Sequence, residues 1–261
     1  PNTIAASEAF GIDLTALMVK NLIPAFVALF VAIILSGLLA KKGGAHEFDG
    51  IDEAGTSGVS LSFFKAMLGP IVVIALLALR SIAGISVDPL IALPLGGLVT
   101  IVVTGNAKNT VEFTEFGLSK VIGVSILLIG TGTIAGIIKA SALQVDMIAL
   151  LEAMNMPAFV LAPLSGILMG AATASTTAGS TIASQTFSGP LTAAGVPAVS
   201  AAAMIHAGAT VLDSLPHGSF FHATGGSVFM AIEDRMKLIP YEAIVGLSST
   251  IVATILYLIG F

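Results

Sequence analysis

Residues 153–212 run for 60 positions without an Asp, Glu, Lys or Arg. A soluble domain carries about 25% charged residues, so a stretch of this kind needs an apolar surrounding. The rest of the chain shares the bias: of its 261 residues 56% are hydrophobic and only 10% charged. Apolar runs near the ~20 residues that cross a bilayer as helix recur at residues 22–40, 66–79, 89–104, 121–138 and 243–261. Because unpaired backbone is not tolerated in lipid, these lengths point to helices. The expected fold class is an all-α polytopic membrane protein with about six to seven membrane segments. The absence of cysteine excludes disulfides and thiolate metal sites.

The intervening segments divide the chain. Residues 1–40 form one portion ending in a span. Residues 41–60, KKGGAHEFDGIDEAGTSGVS, read as a polar, glycine-rich cytoplasmic loop. Its His46, Glu47, Asp49, Asp52 and Glu53 lack the EF-hand spacing and read as solvated. Residues 61–261 form the second portion, with scaffold-like spans at 61–104, a transport-type region at 118–230 and a last span at 241–261. Residues 105–117, with Glu112 and Glu115 among apolar neighbours, suit a segment lying at the interface. Cytoplasmic loops carry the excess of Lys and Arg. With the loop at 41–65 inside, Lys41, Lys42, Lys65, Lys108, Lys120, Arg235 and Lys237 fall inside; Lys20, Arg80 and Lys139 fall outside. That alternation closes only if residues 156–188 enter and leave on one face. The start lacks the basic region of a signal peptide, and opening on Pro1 rather than Met points to missing upstream sequence.

Within the uncharged stretch, residues 170–181 read GAATASTTAGST. Residues 157–187 are too long for one simple crossing and fit a re-entrant helical hairpin with this tract near its tip. Thr173, Ser175, Thr176 and Thr177, with free N–H groups at a half-helix start, suit an anionic substrate. The alternative is an unbroken helix whose hydroxyls bond their own i−4 carbonyls. Gly166 and Gly170 have the spacing of close helix packing. A second tract, AGATVLDSLPHGSFFHATGG at residues 207–226, contains Pro216, which breaks a regular helix. Asp213 is its lone carboxylate, and an ionisable group at membrane depth marks an ion or substrate path. His206, His217 and His222 surround it, and histidine titrates near neutral pH. Asp213, His217 and His206 are therefore the candidate ion-coupling residues, with Ser214 beside them in the substrate site. Alternatively Asp213 caps a half-helix beginning near Ser214. Without a second carboxylate or cysteine the set is a weak zinc signal, so no metal is expected. A hydrolytic set of Asp213, Ser214 and His217 is too crowded to chain through hydrogen bonds, and no enzymatic activity is expected. Two broken segments, one hydroxyl-rich and one ionisable, are the pattern of a secondary-transporter midplane site.

The runs LLIGTGTIAGIIKAS, GILMGAATASTTAGST and HAGATVLDSLPHGSFFHATGG resemble the gluconate:proton symporter (GntP-type permease) family of the ion transporter superfamily. The opening PNTIAASEAFGIDL is similar to the motif that ends that family's first repeat. The resemblance implies part of an inverted-repeat transporter, the second repeat plus the end of the first, in an inner-membrane homodimer with an elevator-like motion. It also implies that Asn2 and Thr3, with Ser7, belong to a matching site motif facing residues 170–181. The ionisable residues of 213–218 stand in a different order from the family's. The expected function is proton symport of a small hydroxy-carboxylate such as gluconate, the alternative a sodium-coupled or exchange carrier for citrate-like anions. The expected partners are the organic anion, the coupling ion and the lipid bilayer. No cofactor and no nucleic acid are implied.

Overall fold

The computed structural model describes residues 2–40, 62–85, 87–228 and 230–261. The acidic loop lies outside the described residues. Those residues form helices and no strand. Two compact units emerge: Pro1–Gly43 with Ile126–Phe261, and Gly44–Ser125.

The second unit is built on α3 (Phe63–Ala83) and α4 (Pro89–Val103). Asp88 starts α4 by accepting a hydrogen bond from the Leu90 N–H at 2.7 Å, with Pro89 opening the helix. Gly69 and Gly96 let the two helices touch: a Cβ on Gly69 would fall 2.7 Å from the Gly96 carbonyl oxygen. α5 follows as one helix, Thr110–Ala140. Glu112 and Glu115, in the segment expected to lie at the interface, belong to its first turns. The α3 helix continues past Arg80, beyond the end of the apolar run at residue 79.

The first unit holds α1 (Asn2–Phe10), α2 (Leu14–Ala40), α6 (Leu143–Ala153), α7 (Leu161–Thr173), α8 (Thr176–Ala193), α9 (Ala198–Ala209), α10 (Ser219–Ser227), α11 (Ile232–Met236) and α12 (Ile239–Leu258). α9 is its centre. Residues Ser200 to Ile205 and Ala207 to Ala209 are buried, and α9 packs against α1, α2, α7, α8 and α12. Its side chains are small, so the neighbours approach to backbone contact. Gly166 packs on the Ile205 carbonyl, Gly208 on the Pro163 carbonyl, and a Cβ on Gly170 would lie 2.6 Å from the Ala209 carbonyl oxygen. The expected glycine packing at 166 and 170 is thus directed at α9.

α2 shows the opposite behaviour. Its 27 residues span about 40 Å at 1.5 Å per residue, more than the ~30 Å hydrocarbon core. Phe26, Phe30 and Ile33 are each at least 60% exposed. Such a face is stable only against lipid or another apolar surface. Two stretches among the described residues, Leu14–Ala40 and Ile232–Leu258, are long and apolar enough to cross a membrane; Phe63–Leu79, Leu90–Val103, Ala158–Thr173 and Ala198–Ala209 are shorter apolar helices.

Candidate functional site

The hydroxyl-rich tract breaks the helix. α7 ends at Thr173, Ala174 adopts a left-handed conformation (φ 44°, ψ 44°), and α8 starts at Thr176. An L-residue in that region costs about 1–2 kcal/mol, so the turn is held by its surroundings. Ser175 is the N-cap of α8, its hydroxyl oxygen accepting from the Ala178 N–H at 3.3 Å. Thr173 directs its hydroxyl to the Met169 carbonyl at 2.8 Å, with the Ser175 carbonyl at 3.2 Å. The two legs then meet along glycine: a Cβ on Gly179 would lie 2.6 Å from the Gly170 Cα. α8 runs on to Ala193, past the expected hairpin end at residue 187.

The second break spans residues 210–218, between α9 and α10. It lies directly against the first. A Cβ on Gly218 would fall 2.6 Å from the Ala174 Cβ, so the start of α10 touches the hairpin tip. Asp213 joins the two chemically, accepting hydrogen bonds from the Thr176 hydroxyl and, at 3.0 Å, from the Ser214 hydroxyl. Ser214 is buried while Thr173, Ser175, Thr176, Thr177 and Asp213 are half-buried. The last helix closes one side: a Cβ on Gly246 would be 2.6 Å from the Val211 Cα. By helix geometry the first N–H groups of α8 have no intrahelical acceptor; that of Ala178 is taken by Ser175, and Thr176, the first residue of the helix, meets Asp213 through its hydroxyl.

The three candidate coupling residues have different surroundings. Asp213 does not cap a half-helix starting near Ser214, because the next helix begins at Ser219 with Gly218 as its N-cap. Residues 213–217 are not helical, and the His217 side chain is exposed. His206 pairs elsewhere. Its Nε2 lies 2.7 Å from Asn2 Nδ2 and its Nδ1 3.3 Å from Asn21 Nδ2, which ties α9 to α1 and α2. Asn2 therefore meets His206 and Ser7 is buried, its hydroxyl donating to the Ile4 carbonyl at 2.8 Å; Thr3 is half-buried on the same helix. Among the described residues no group of three His, Cys, Asp or Glu could hold a metal.

Sequence reasoning missed Asn21, a polar side chain just before the apolar run that begins at residue 22. It also placed Arg235 and Lys237 among the charges of cytoplasmic loops. Ile232–Met236 form α11, and Arg235 is only 2% exposed, its guanidinium forked onto Glu242 at 2.9 and 2.8 Å. Glu242, a single carboxylate at the edge of the last apolar run, was the available signal.

The chain is 49% identical over 257 residues to an uncharacterized transporter of Haemophilus influenzae. The match takes in 98% of this chain and 61% of that relative, so the chain spans about three fifths of the relative's length. The likeness is thus to a transporter, and it extends to no substrate. No protein-family profile and no solved structure match the chain.

Proposed function

We propose that this chain is part of a secondary active transporter of the cell membrane, carrying a small hydroxy-carboxylate such as gluconate by proton symport. The observation that carries this reading is the contact between two helix breaks, Ala174 to Gly218, bridged by the Thr176–Asp213 hydrogen bond. Discontinuous helices present N-terminal N–H groups to an anion without a fixed cation. Hydroxyls from Thr173, Ser175, Thr176, Thr177 and Ser214 match the alcohols of a sugar acid. Asp213 is the group that takes up and releases the coupling proton. His206, joined to Asn2, links the coupling region to the first-repeat portion, with Thr3 beside it. The apolar face of α2 supports placement in a bilayer, where the remaining apolar helices bring the crossings to about six or seven with a re-entrant hairpin. A homodimer follows from the same family resemblance.

The second reading, a sodium-coupled or exchange carrier of citrate-like anions, is favoured by the same hydroxyl and carbonyl oxygens, which also suit a hard cation. Uptake of labelled gluconate and citrate by the intact protein in proteoliposomes, under imposed proton or sodium gradients, separates the two. Accumulation of gluconate driven by the proton gradient alone is the expected result. Accumulation that follows only sodium gives the second reading, and no accumulation of either acid refutes both.

A further inference from the structure

We propose that Arg235 is a positioning residue that fixes the second half of the broken helix, α10, against the last helix and so keeps Gly218 on the hairpin tip. The inference rests on the transport reading above. Arg235 reaches three elements at once. Two of its donors fork onto Glu242, in the first turn of α12. Its Nε donates to the Thr224 hydroxyl of α10 at 3.1 Å, a hydroxyl that itself donates to the Phe220 carbonyl at 2.7 Å. The guanidinium carbon lies 5.0 Å from the ring centre of Phe221 and 5.9 Å from that of Phe220, both on α10. Phe221 is buried, and each ring face is attractive to a desolvated cation.

Packing around α10 is incomplete. A cavity of about 190 Å³ lies beside it, lined by Phe221, His222, Gly225, Gly226, Met230 and Arg235 among others. A nine-residue helix is too short to be stable by itself, and the cavity leaves it room to shift. Arg235 can hold it because a planar fork serves Glu242 while Nε serves Thr224; a lysine ammonium has no such geometry. Displacement of α10 would carry Gly218 away from Ala174 and open the junction of the two breaks.

Two variants of the intact protein test this, Thr224→Val, which leaves the Arg235–Glu242 pair in place, and Arg235→Lys, which keeps the charge. The first readout is amide hydrogen exchange of residues 219–227. Loss of a hydrogen bond to a charged group corresponds to about tenfold, so exchange of this segment is expected to quicken at least tenfold in Thr224→Val while α9 is unchanged. The second readout is uptake, where KM is expected to rise about tenfold with kcat held within a factor of about two. If residues 219–227 exchange at the wild-type rate in Thr224→Val, the inference is overturned, whether or not Arg235→Lys folds. If the wild-type protein accumulates neither acid, the transport reading fails, and the exchange rates still decide the positioning role. Faster exchange with an unchanged KM overturns the link to the site.

Discussion

Replacing Gly179 with alanine adds a methyl group where the hairpin has no space. Its nearest neighbours would be Gly170 N at 2.5 Å, Gly170 Cα at 2.6 Å and the Met169 carbonyl carbon at 2.9 Å. All three are backbone atoms and cannot rotate away. Carbon atoms pack at about 3.5–4.0 Å, so the legs must part by about 1 Å. Overpacking of this kind costs about 1–3 kcal/mol. At about 2–4 °C per kcal/mol for a chain of this size, the melting temperature is expected to fall by roughly 5 °C. This chain has no tryptophan, so the assay is the fraction remaining monodisperse on gel filtration after heating in detergent. Gly37→Ala in α2 supplies the control. No atom beyond its own helix backbone and chain neighbours lies within 4 Å of its added Cβ, and the better helix former raises stability by up to about 1 kcal/mol. Equal melting of Gly179→Ala and wild type, or equal losses in both variants, would refute the backbone-contact reasoning.

Other expectations follow from the same geometry. Asp213→Asn keeps a side chain of the same shape beside Thr176 and Ser214 but cannot carry a proton; proton-driven accumulation is expected to vanish, and an unchanged pH profile of uptake would place coupling elsewhere. Gly218→Ala puts a methyl against the Ala174 carbonyl and is expected to weaken uptake by at least about tenfold, equivalent to about 1.4 kcal/mol, with wild-type transport refuting the contact between the breaks. Glu242→Leu leaves the buried Arg235 charge without its carboxylate, and loss of a buried partner costs about 3–5 kcal/mol; with Glu242 itself partly exposed, a value near the lower end is expected, read as lost monodispersity on heating.

Legibility of the chain followed the nature of each signal. The tract at residues 170–181 disclosed a helix break because small and hydroxylated residues there displaced the expected apolar side chains, and Pro216 marked the second break through its missing N–H. Their mutual contact was less accessible, since Ala174 and Gly218 are separated by 43 intervening residues and meet only after α8 and α9 fold back. His206 shows the limit of proximity in sequence. It was grouped with Asp213, seven residues away, yet α9 turns its ring toward Asn2 and Asn21. Arg235 was counted as a loop charge because hydropathy assigns charges to solvent, whereas a carboxylate, a hydroxyl and two aromatic rings solvate it here. The start of α5 was obscured in the same way by Glu112 and Glu115, whose charges interrupt the apolar pattern of a helix that runs on through them.

The glycine seams joining α7 to α8, α7 to α9 and α12 to the second break put main chain on main chain. Side chains that interdigitate can change rotamer and let an arriving molecule wedge helices apart; bare peptide planes offer no such give. The frame behind the two breaks is therefore set by the backbone, and a methyl group added at any of these seams is passed on to the junction of the breaks rather than absorbed by a change of rotamer.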